Sequence, residues 1–463
     1  MSEPPFAPWE EAERFLAAHP EIEAVDIVLV DANGIGRGKI IRRHELESLY
    51  RHGRHLPSSI LGLDVTGEDV EETGLVWAMG DADLRAWPVP GTLVPLPFTQ
   101  PARAQVLVSL YGLDGQPFGA DPRHALARQI ASLKEDGYHP AGAFELEFYL
   151  LDAAPGPDGR PRPAAMALDG RRHDQIQVYG LDDLDGMQPV FAAIYQAASA
   201  QGLPLETLIA EYAPGQYELT LHYRPCLMRA ADDLIMLKRL VRAIARRHGM
   251  IACFMAKPFQ GRAGSGMHLH VSLGDGEGGN HFAEKADGEL VPALRHALGG
   301  LAETMAESML VFAPHANSWR RYVANLYAPV EPSWGVNDRS VALRVPAGPA
   351  SARRVEHRPA GVDANPYLVG ATVLAGMRHG LENRIDPGPA SRSGHPQPGR
   401  VIDRSATMPR DWHQALIKAE ASAFLKQALG PDLHRSYTAI KRAELARVMA
   451  AVTDLDYQLY LHL

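Results

Sequence analysis

The residues best placed to do chemistry sit in Phe144-Glu145-Leu146-Glu147-Phe148-Tyr149-Leu150. Apolar and acidic residues alternate, which is the pattern of a β-strand, and a strand sends side chains i and i+2 to the same face. Glu145 and Glu147 therefore project together while Phe144, Leu146, Phe148 and Leu150 pack behind them. Two neighbouring carboxylates repel unless a cation sits between them. The stretch is thus either an edge strand with a solvated acidic face or a divalent-metal site.

Three other stretches repeat the pattern. In Gly264-Ser265-Gly266-Met267-His268-Leu269-His270-Val271-Ser272, the residues His268, His270 and Ser272 share a strand face. One histidine on a strand is usually a core residue; two behind a Gly-Ser-Gly turn point to a site. Glu211 precedes a Pro214-Gly215 turn, and Glu218 lies on the strand after it. Arg354-Val355-Glu356-His357-Arg358 again carries charge at alternate positions. If these faces converge, the carboxylates need cations and the arginines need anions. Oxygen-rich ligation with an imidazole suits Mg²⁺ or Mn²⁺, and arginine suits phosphate and carboxylate. Together they point to phosphoryl transfer from a nucleotide. The sequence contains no P-loop motif. Gly34, Gly36 and Gly38 have the wrong spacing for a dinucleotide loop, and Asn33-Gly34 predicts a tight turn between two strands.

These stretches need a large scaffold, and 463 residues supply one. The first ~110 residues read as a small α+β unit of strands and turns, with helices at 9–18 and 44–52 and a loop-rich segment from Leu56 to Asp81 that holds a short strand near Leu75 to Met79. A domain boundary is expected near residue 115, before the amphipathic helix that opens at Pro122, and the unit 116–463 alternates the charged strands with long helices. A net charge of −9 argues against nucleic-acid or anionic-membrane partners. Two cysteines exclude a disulfide framework, and neither a basic-then-apolar leader nor a bilayer-length apolar run is present, so a cytoplasmic protein is expected.

The chain resembles the glutamine synthetase superfamily along nearly its whole length. The resemblance rests on Phe-Glu-Leu-Glu-Phe, Gly-Gln-x-Glu, Gly-Ser-Gly-Met-His-x-His-x-Ser, Trp334-Gly-x-Asn-x-Arg-Ser340 and Asn365-Pro-Tyr-Leu368. It implies an α+β fold with an N-terminal β-grasp domain (1–115) and a catalytic domain (116–463) whose open antiparallel barrel, the bifunnel, is surrounded by helices. It also implies a homo-oligomer, a dodecamer of two stacked hexamers with active sites between neighbours. Two or more Mg²⁺ or Mn²⁺ ions are implied in each site, with Glu147, Glu211 and Glu218 around one and Glu145, His268 and Glu356 around another. Glu206, His270, Ser272, Arg339, Arg344 and Arg354 fall at ATP positions. Gly264, Arg321, Arg339 and Arg358 fall at positions for L-glutamate or its phosphate, Arg339 and Arg358 being the catalytic arginines.

The chain departs from the ammonia-using pattern at two places. A carboxylate that helps to bind ammonium is replaced by Leu56 in Leu-Pro-Ser-Ser, and another by Tyr327 in Asn-Leu-Tyr-Ala-Pro. Losing both removes the negative charge that captures a small cation and adds apolar and aromatic surface suited to an organic amine. The resemblance is therefore to the γ-glutamyl-amine ligase branch: an ATP-dependent ligase forming a γ-glutamyl amide through γ-glutamyl phosphate, with putrescine or another polyamine as acceptor. A monoamine acceptor, ammonia, and a non-catalytic relative are the alternatives, the last disfavoured because every metal-ligand position is present. Asp64 and Glu68 are candidates for holding a distal amine. The loop 385–400 has no tyrosine, which argues against adenylylation there.

Overall fold

The computed structural model describes residues 6–283, 289–322, 328–329, 331–391 and 408–463. Two sheets organise the chain, the first built on the β-branched run of Ala24–Val30 and the second on the aromatic and leucine alternation of His139–Asp152. The first contains β1 (Ala24–Val30), β2 (Gly36–Arg42), β3 (Arg54–Pro57), β4 (Asp83–Pro88), β5 (Val94–Leu96) and β6 (Arg103–Tyr111). Its order is β2-β1-β6-β4-β3, with β5 also on β6. Every residue of β1 is buried, and β1 runs parallel to β6 and antiparallel to β2. The expected Asn33-Gly34 turn joins β1 to β2: Gly34 sits at φ +74°, and Asp31 accepts from the amides of Asn33 and Ile35, both at 2.9 Å. Helices α1 (Trp9–Ala18) and α2 (Leu46–His52) pack beside this sheet.

The second sheet contains β7 (His139–Asp152), β8 (Leu205–Ala210), β9 (Gln216–Leu221), β10 (Met250–Cys253), β11 (Leu269–Gly274), β12 (Trp334–Val336), β13 (Leu343–Val345) and β14 (Val355–His357). The order is β12-β13-β14-β11-β7-β9-β8, with β10 also on β7. The 14-residue β7 is flanked on both sides, by β9 along one edge and by β11 and then β10 along the other. The edge-strand reading of the Glu145–Glu147 stretch is thereby excluded.

The remaining helices are α3 (Pro122–Glu135), α4 (Leu181–Gly186), α5 (Gln188–Ala200), α6 (Leu227–Arg247), α7 (Pro292–Phe312), α8 (Pro366–Asn383), α9 (Trp412–Ala421), α10 (Ala423–Leu429), α11 (Pro431–Ala450) and α12 (Asp454–Tyr460). Pro at the first helical position and an acceptor cap set two starts: Asp121 caps α3, and Asn365 caps α8 through the amides of Tyr367 and Leu368. Helix α6 packs on β7 and β10, and α7 lies against α8. The last pair meets at backbone distance, since a Cβ on Gly300 would fall 2.2 Å from the Gly376 carbonyl oxygen.

A buried polar seam ties the two sheets' units together. Lys441 of α11, fully enclosed, donates to Asn33 and, at 2.9 Å, to Glu444. Glu444 also accepts from Asn33 Nδ2 and from the Val65 amide, each at 3.0 Å. Burial pushes the Glu444 carboxyl up, but Lys441 and His315 outweigh it and hold it at about 2. Such a network rewards one docking geometry, because breaking it strands a charge.

Several expectations need correction. Residues 77–79 form a single helical turn with Trp77 exposed, not a strand near Leu75 to Met79, because the short run has no partner strand. The segment Leu56 to Asp81 begins with the end of β3, and β4 follows at Asp83, neither of which was legible from its Arg/His and Pro content. Leu56 itself is completely buried in the core of the first sheet's unit, so its side chain is spent on packing and offers no wall to an amine pocket. Asp64 accepts from Thr66 and the Glu68 amide and pairs with Arg447 at 2.9 Å; Glu68 also pairs with Arg447 at 2.9 Å. Both acids are engaged in tying α11 to the N-terminal unit rather than standing ready for a distal amine.

Lys238 of α6 is almost wholly buried, donating to the Val362 carbonyl at 2.7 Å above the Phe254 ring. Burial pushes its ammonium down to about 7, well below its value in the unfolded chain. At pH 6 folding therefore carries the cost of a buried charge, which fades as pH rises towards the unfolded value. Lys238→Met should raise the thermal midpoint by a few degrees at pH 6 and by less at pH 9, as measured by scanning calorimetry.

Candidate active site

Strand register explains why distant residues meet. Glu147 lies directly across from Glu218 in the β7–β9 pair, and His270 directly across from Glu356 in the β11–β14 pair. Arg344 of β13 is opposite Glu356 on its other side. Before β11 begins, the chain 266–268 still tracks β7: the amides of Glu145 and Glu147 donate to the carbonyls of His268 and Gly266 at 3.0 and 3.3 Å. The four charged faces inferred from the sequence thus belong to one sheet face.

Glu145 is the shared member. Its two oxygens accept from His268 Nδ1 and His270 Nε2, each at 2.8 Å. Ligand atoms of Glu145, Glu218 and His268 lie within 4.8 Å of one another, as do those of Glu145, His270 and Glu356. Sequence reasoning had assigned His270 to ATP and grouped Glu218 with Glu147 and Glu211; the geometry brings His270 and Glu218 to Glu145. His270 also accepts at Nδ1 from Arg354 Nε at 3.0 Å, which fixes the proton on Nε2 facing Glu145.

The electrostatics divide the carboxylates. Burial pushes Glu356 up, yet His270, His268 and Arg358 outweigh it and hold it at about 2. Burial also opposes ionisation of Glu145, but the two imidazoles keep it well below the ordinary range. Glu218 has no such partner, and burial plus Glu145, Glu147 and Glu211 push it up to about 10. Glu211 is pushed up to about 7 by burial and by Glu147 and Glu145, against the pull of Arg339. Buried carboxylates that cannot ionise together fit a divalent cation, and the donor set of carboxylate oxygens with two imidazoles fits Mg²⁺ or Mn²⁺.

An arginine layer stands beside these acids. Arg344 donates to Glu356 Oε2 at 2.7 Å and to Asn337 at 3.1 Å, and Arg358 donates to Glu356 Oε1. The Nε–H groups of Arg344 and Arg358 are buried with no partner among the described residues, which suits an anionic ligand. Arg321 is buried and donates to the Pro359 carbonyl at 2.8 Å. It presses on the Gly-Ser-Gly turn: a Cβ on Gly264 would lie 2.8 Å from Arg321 Cγ, and one on Gly266 would lie 2.6 Å from Arg321 Nη2. That packing is the reason for both glycines. The Gly266 amide in turn donates to Glu147 at 2.7 Å.

Other expected residues sit further out. Arg339 is exposed, with its charge felt at Glu211. Ser272 is two residues beyond His270 on the same face, and Glu206 of β8 is exposed and pairs with His222 at 2.6 Å. Tyr327 and residues 392–400 lie outside the described residues. Gln216 was read only as part of a motif. It donates to the Gly264 carbonyl at 3.0 Å, while the Tyr149 hydroxyl donates to that of Ala263 at 2.7 Å. The two side chains hold the glycine turn, and the only sequence signal for them was their nearness to Glu218 and Glu147.

A family model described as the glutamine synthetase catalytic domain matches residues 119–460. The chain belongs to the glutamine synthetase family. Among relatives in this family, γ-glutamylputrescine synthetase of Escherichia coli K12 is 37% identical over 97% of this chain and 94% of its own length. Glutamate–isopropylamine ligase of a Pseudomonas species is 32% identical over 81% of each chain. γ-Glutamylethanolamide synthetase of Streptomyces coelicolor is 31% identical over 95% of this chain and 93% of its own. The ADP complex of GmaS superposes with a TM-score of 0.81 at 27% identity, covering 97% of this chain and 99% of that one.

Because Glu218 is held above its unfolded pKa, the metal-free fold at pH 8 must keep a proton that the unfolded chain releases, a cost in stability that is absent below the ordinary carboxylate range. Glu218→Gln should therefore raise the thermal midpoint in EDTA at pH 8 by a few degrees, and do so less at pH 5. The same substitution should weaken Mn²⁺ binding more than about tenfold by isothermal titration, the expected trade of a strained site.

Proposed function

We propose that the chain is an ATP-dependent ligase that joins the γ-carboxyl of L-glutamate to an organic amine, putrescine or another polyamine before a monoamine. The observation that carries the reading is the Glu145-centred cluster of acids and imidazoles bordered by Arg344, Arg354 and Arg358. The acceptor class is supported by the relatives, three of which are named for γ-glutamyl or glutamate ligation to putrescine, isopropylamine and ethanolamine. The finer architecture belongs to the same proposal: a β-grasp unit over 1–115, a bifunnel catalytic unit over 116–463, and a cytoplasmic dodecamer of two stacked hexamers.

In this mechanism Glu145, Glu147, Glu211, Glu218, His268, His270 and Glu356 would hold the divalent ions. Such ions, Mg²⁺ or Mn²⁺, would offset the negative charge of the ATP phosphates beside the substrate carboxylate. Arg344 and Arg354 orient the polyphosphate, with Glu206 and Ser272 towards the nucleoside. Arg321 and the Gly264 turn hold glutamate, and Arg339 and Arg358 offset charge as the γ-phosphoryl moves to the γ-carboxylate. Arg358 is already aimed by Glu356, so little reorganisation is needed when charge develops. The acyl phosphate then reacts with a neutral amine, which forms the amide and releases phosphate. The amine must first lose a proton, and Glu211, whose carboxyl is pushed up by burial and by Glu147 and Glu145, is the carboxylate we assign to take it.

Phosphate release from ATP, Mg²⁺ and glutamate is to be measured with ammonium, methylamine, ethanolamine, putrescine, spermidine or no acceptor. One organic amine should turn over well above ammonium; ammonium winning would mean that the chain makes glutamine. Arg358→Lys should lower kcat at least about a hundredfold with little change in the KM for the amine, since its work is on the transferring phosphoryl group. Tyr327→Glu should raise the ratio of ammonium to amine turnover, and an unchanged ratio would show that this position does not select the acceptor.

A further inference from the structure

A cavity of about 710 Å³ lies between the β1–β2 hairpin and α6. None of its lining residues belongs to the acid and imidazole cluster. It is walled by eight arginine and lysine side chains and one carboxylate, Asp26. That carboxylate is buried and already taken, by Arg103 at 3.1 Å and by Arg239. Arg37 is held by Asp31 at 2.9 Å. Lys39 from the hairpin and Arg242, Arg246 and Arg247 from α6 have no acidic partner among the described residues.

The bland reading is a solvated basic helix face, which is common. Three observations weigh against it. The chain as a whole carries −9, so a local excess this large is not a reflection of composition. The hairpin and Phe98 wall one side of the cavity and α6 the other, so the exposed heads of Lys39, Arg242, Arg246 and Arg247 line one hollow instead of being spread along a helix face. Lys238, nearly enclosed and donating to the Val362 carbonyl at 2.7 Å, adds a further basic side chain to the lining. Cations crowded around one hollow repel unless an anion joins them.

We propose that this cavity binds an anion carrying several phosphoryl groups. Four cations without an acidic partner among the described residues, Arg242 among them stacked on Phe254 at 4.7 Å, exceed what one carboxylate or one phosphate neutralises, and guanidinium forks match phosphoryl oxygens in pairs. The volume falls in the range of small-molecule sites. Ile35, Phe98 and Ile235 add an apolar wall beside the cations, enough for a nucleoside base as well as a bare polyphosphate. Because the cavity spans the N-terminal unit and α6, and α6 packs behind β7, an anion there braces the strand that carries Glu145 and Glu147. The proposal does not rest on the reaction proposed above.

The test uses the full-length protein in its native oligomer, titrated calorimetrically with tripolyphosphate in EDTA, so that the acid cluster is without metal. One tripolyphosphate per chain is expected, with affinity that falls as salt rises. Arg242→Glu/Arg246→Glu should weaken it more than about tenfold while leaving amine-ligase turnover unchanged, and the milder Lys39→Ala/Arg247→Ala should weaken it severalfold should the charge reversal disturb folding. Arg344→Gln should leave it unaltered. GTP binding more tightly than tripolyphosphate adds the base to the site, and equal binding assigns it to phosphoryl groups alone. No binding by wild type, loss only in Arg344→Gln, or equal affinity for citrate would overturn the proposal.

Discussion

Placing several carboxylates on one buried sheet face is the constraint on which the rest of the structure depends. Glu145, Glu147, Glu218 and Glu356 cannot all be ionised there without cations, since burial and mutual repulsion act in the same direction. The protein meets this partly with its own groups. His268 and His270 secure Glu145, and Arg344 and Arg358 secure Glu356. Among the described residues Glu218 has no cationic partner of its own, and that residual demand for positive charge fits the face to a divalent cation rather than to a closed salt-bridge network.

The scaffold around that face serves position more than stability. β7 is long and paired on both sides, so Glu145 and Glu147 are fixed by ladders rather than by a loop. The Gly264–Gly266 turn is clamped from one side by Arg321 and from the other by Gln216 and Tyr149. Behind the sheet, α6 and the closely approaching α7 and α8 fill the core with apolar side chains. The Lys441–Glu444–Asn33 seam then fixes the N-terminal unit against α11. These devices share a logic: a buried polar side chain is tied to a partner on another element, as Arg321 is to Pro359, Gln216 to Gly264 and Asn33 to Glu444.

The site was more legible than the frame that carries it. Period-two spacing identified the faces holding Glu145 and Glu147, His268 and His270, and Glu356, because alternation along a strand is a local property that sequence records directly. The turn at Asn33-Gly34 was legible for the same reason, through the backbone freedom of glycine and the side-chain acceptor of Asp31. The strands β3 and β4 were not, because their residues are chosen by neighbours distant in sequence. Leu56 shows the risk in reading a single position by analogy: a leucine in place of an acid reads equally well as pocket wall or as core, and only its burial tells which.

By itself, the sequence determined the ligand types, their strand faces, the arginine-rich segments and the family to which the chain belongs. Tertiary structure alone decided which candidate ligands come together, because that depends on register between strands that are far apart in the chain. It set His270 opposite Glu356 and Glu147 opposite Glu218, and it made Glu145 common to both groups. It also decided the protonation preferences, since burial and through-space charge have no counterpart in local spacing. The same holds for the cationic cavity under the β1–β2 hairpin, where Lys39 and Arg246 are neighbours in space with some two hundred residues between them in the chain.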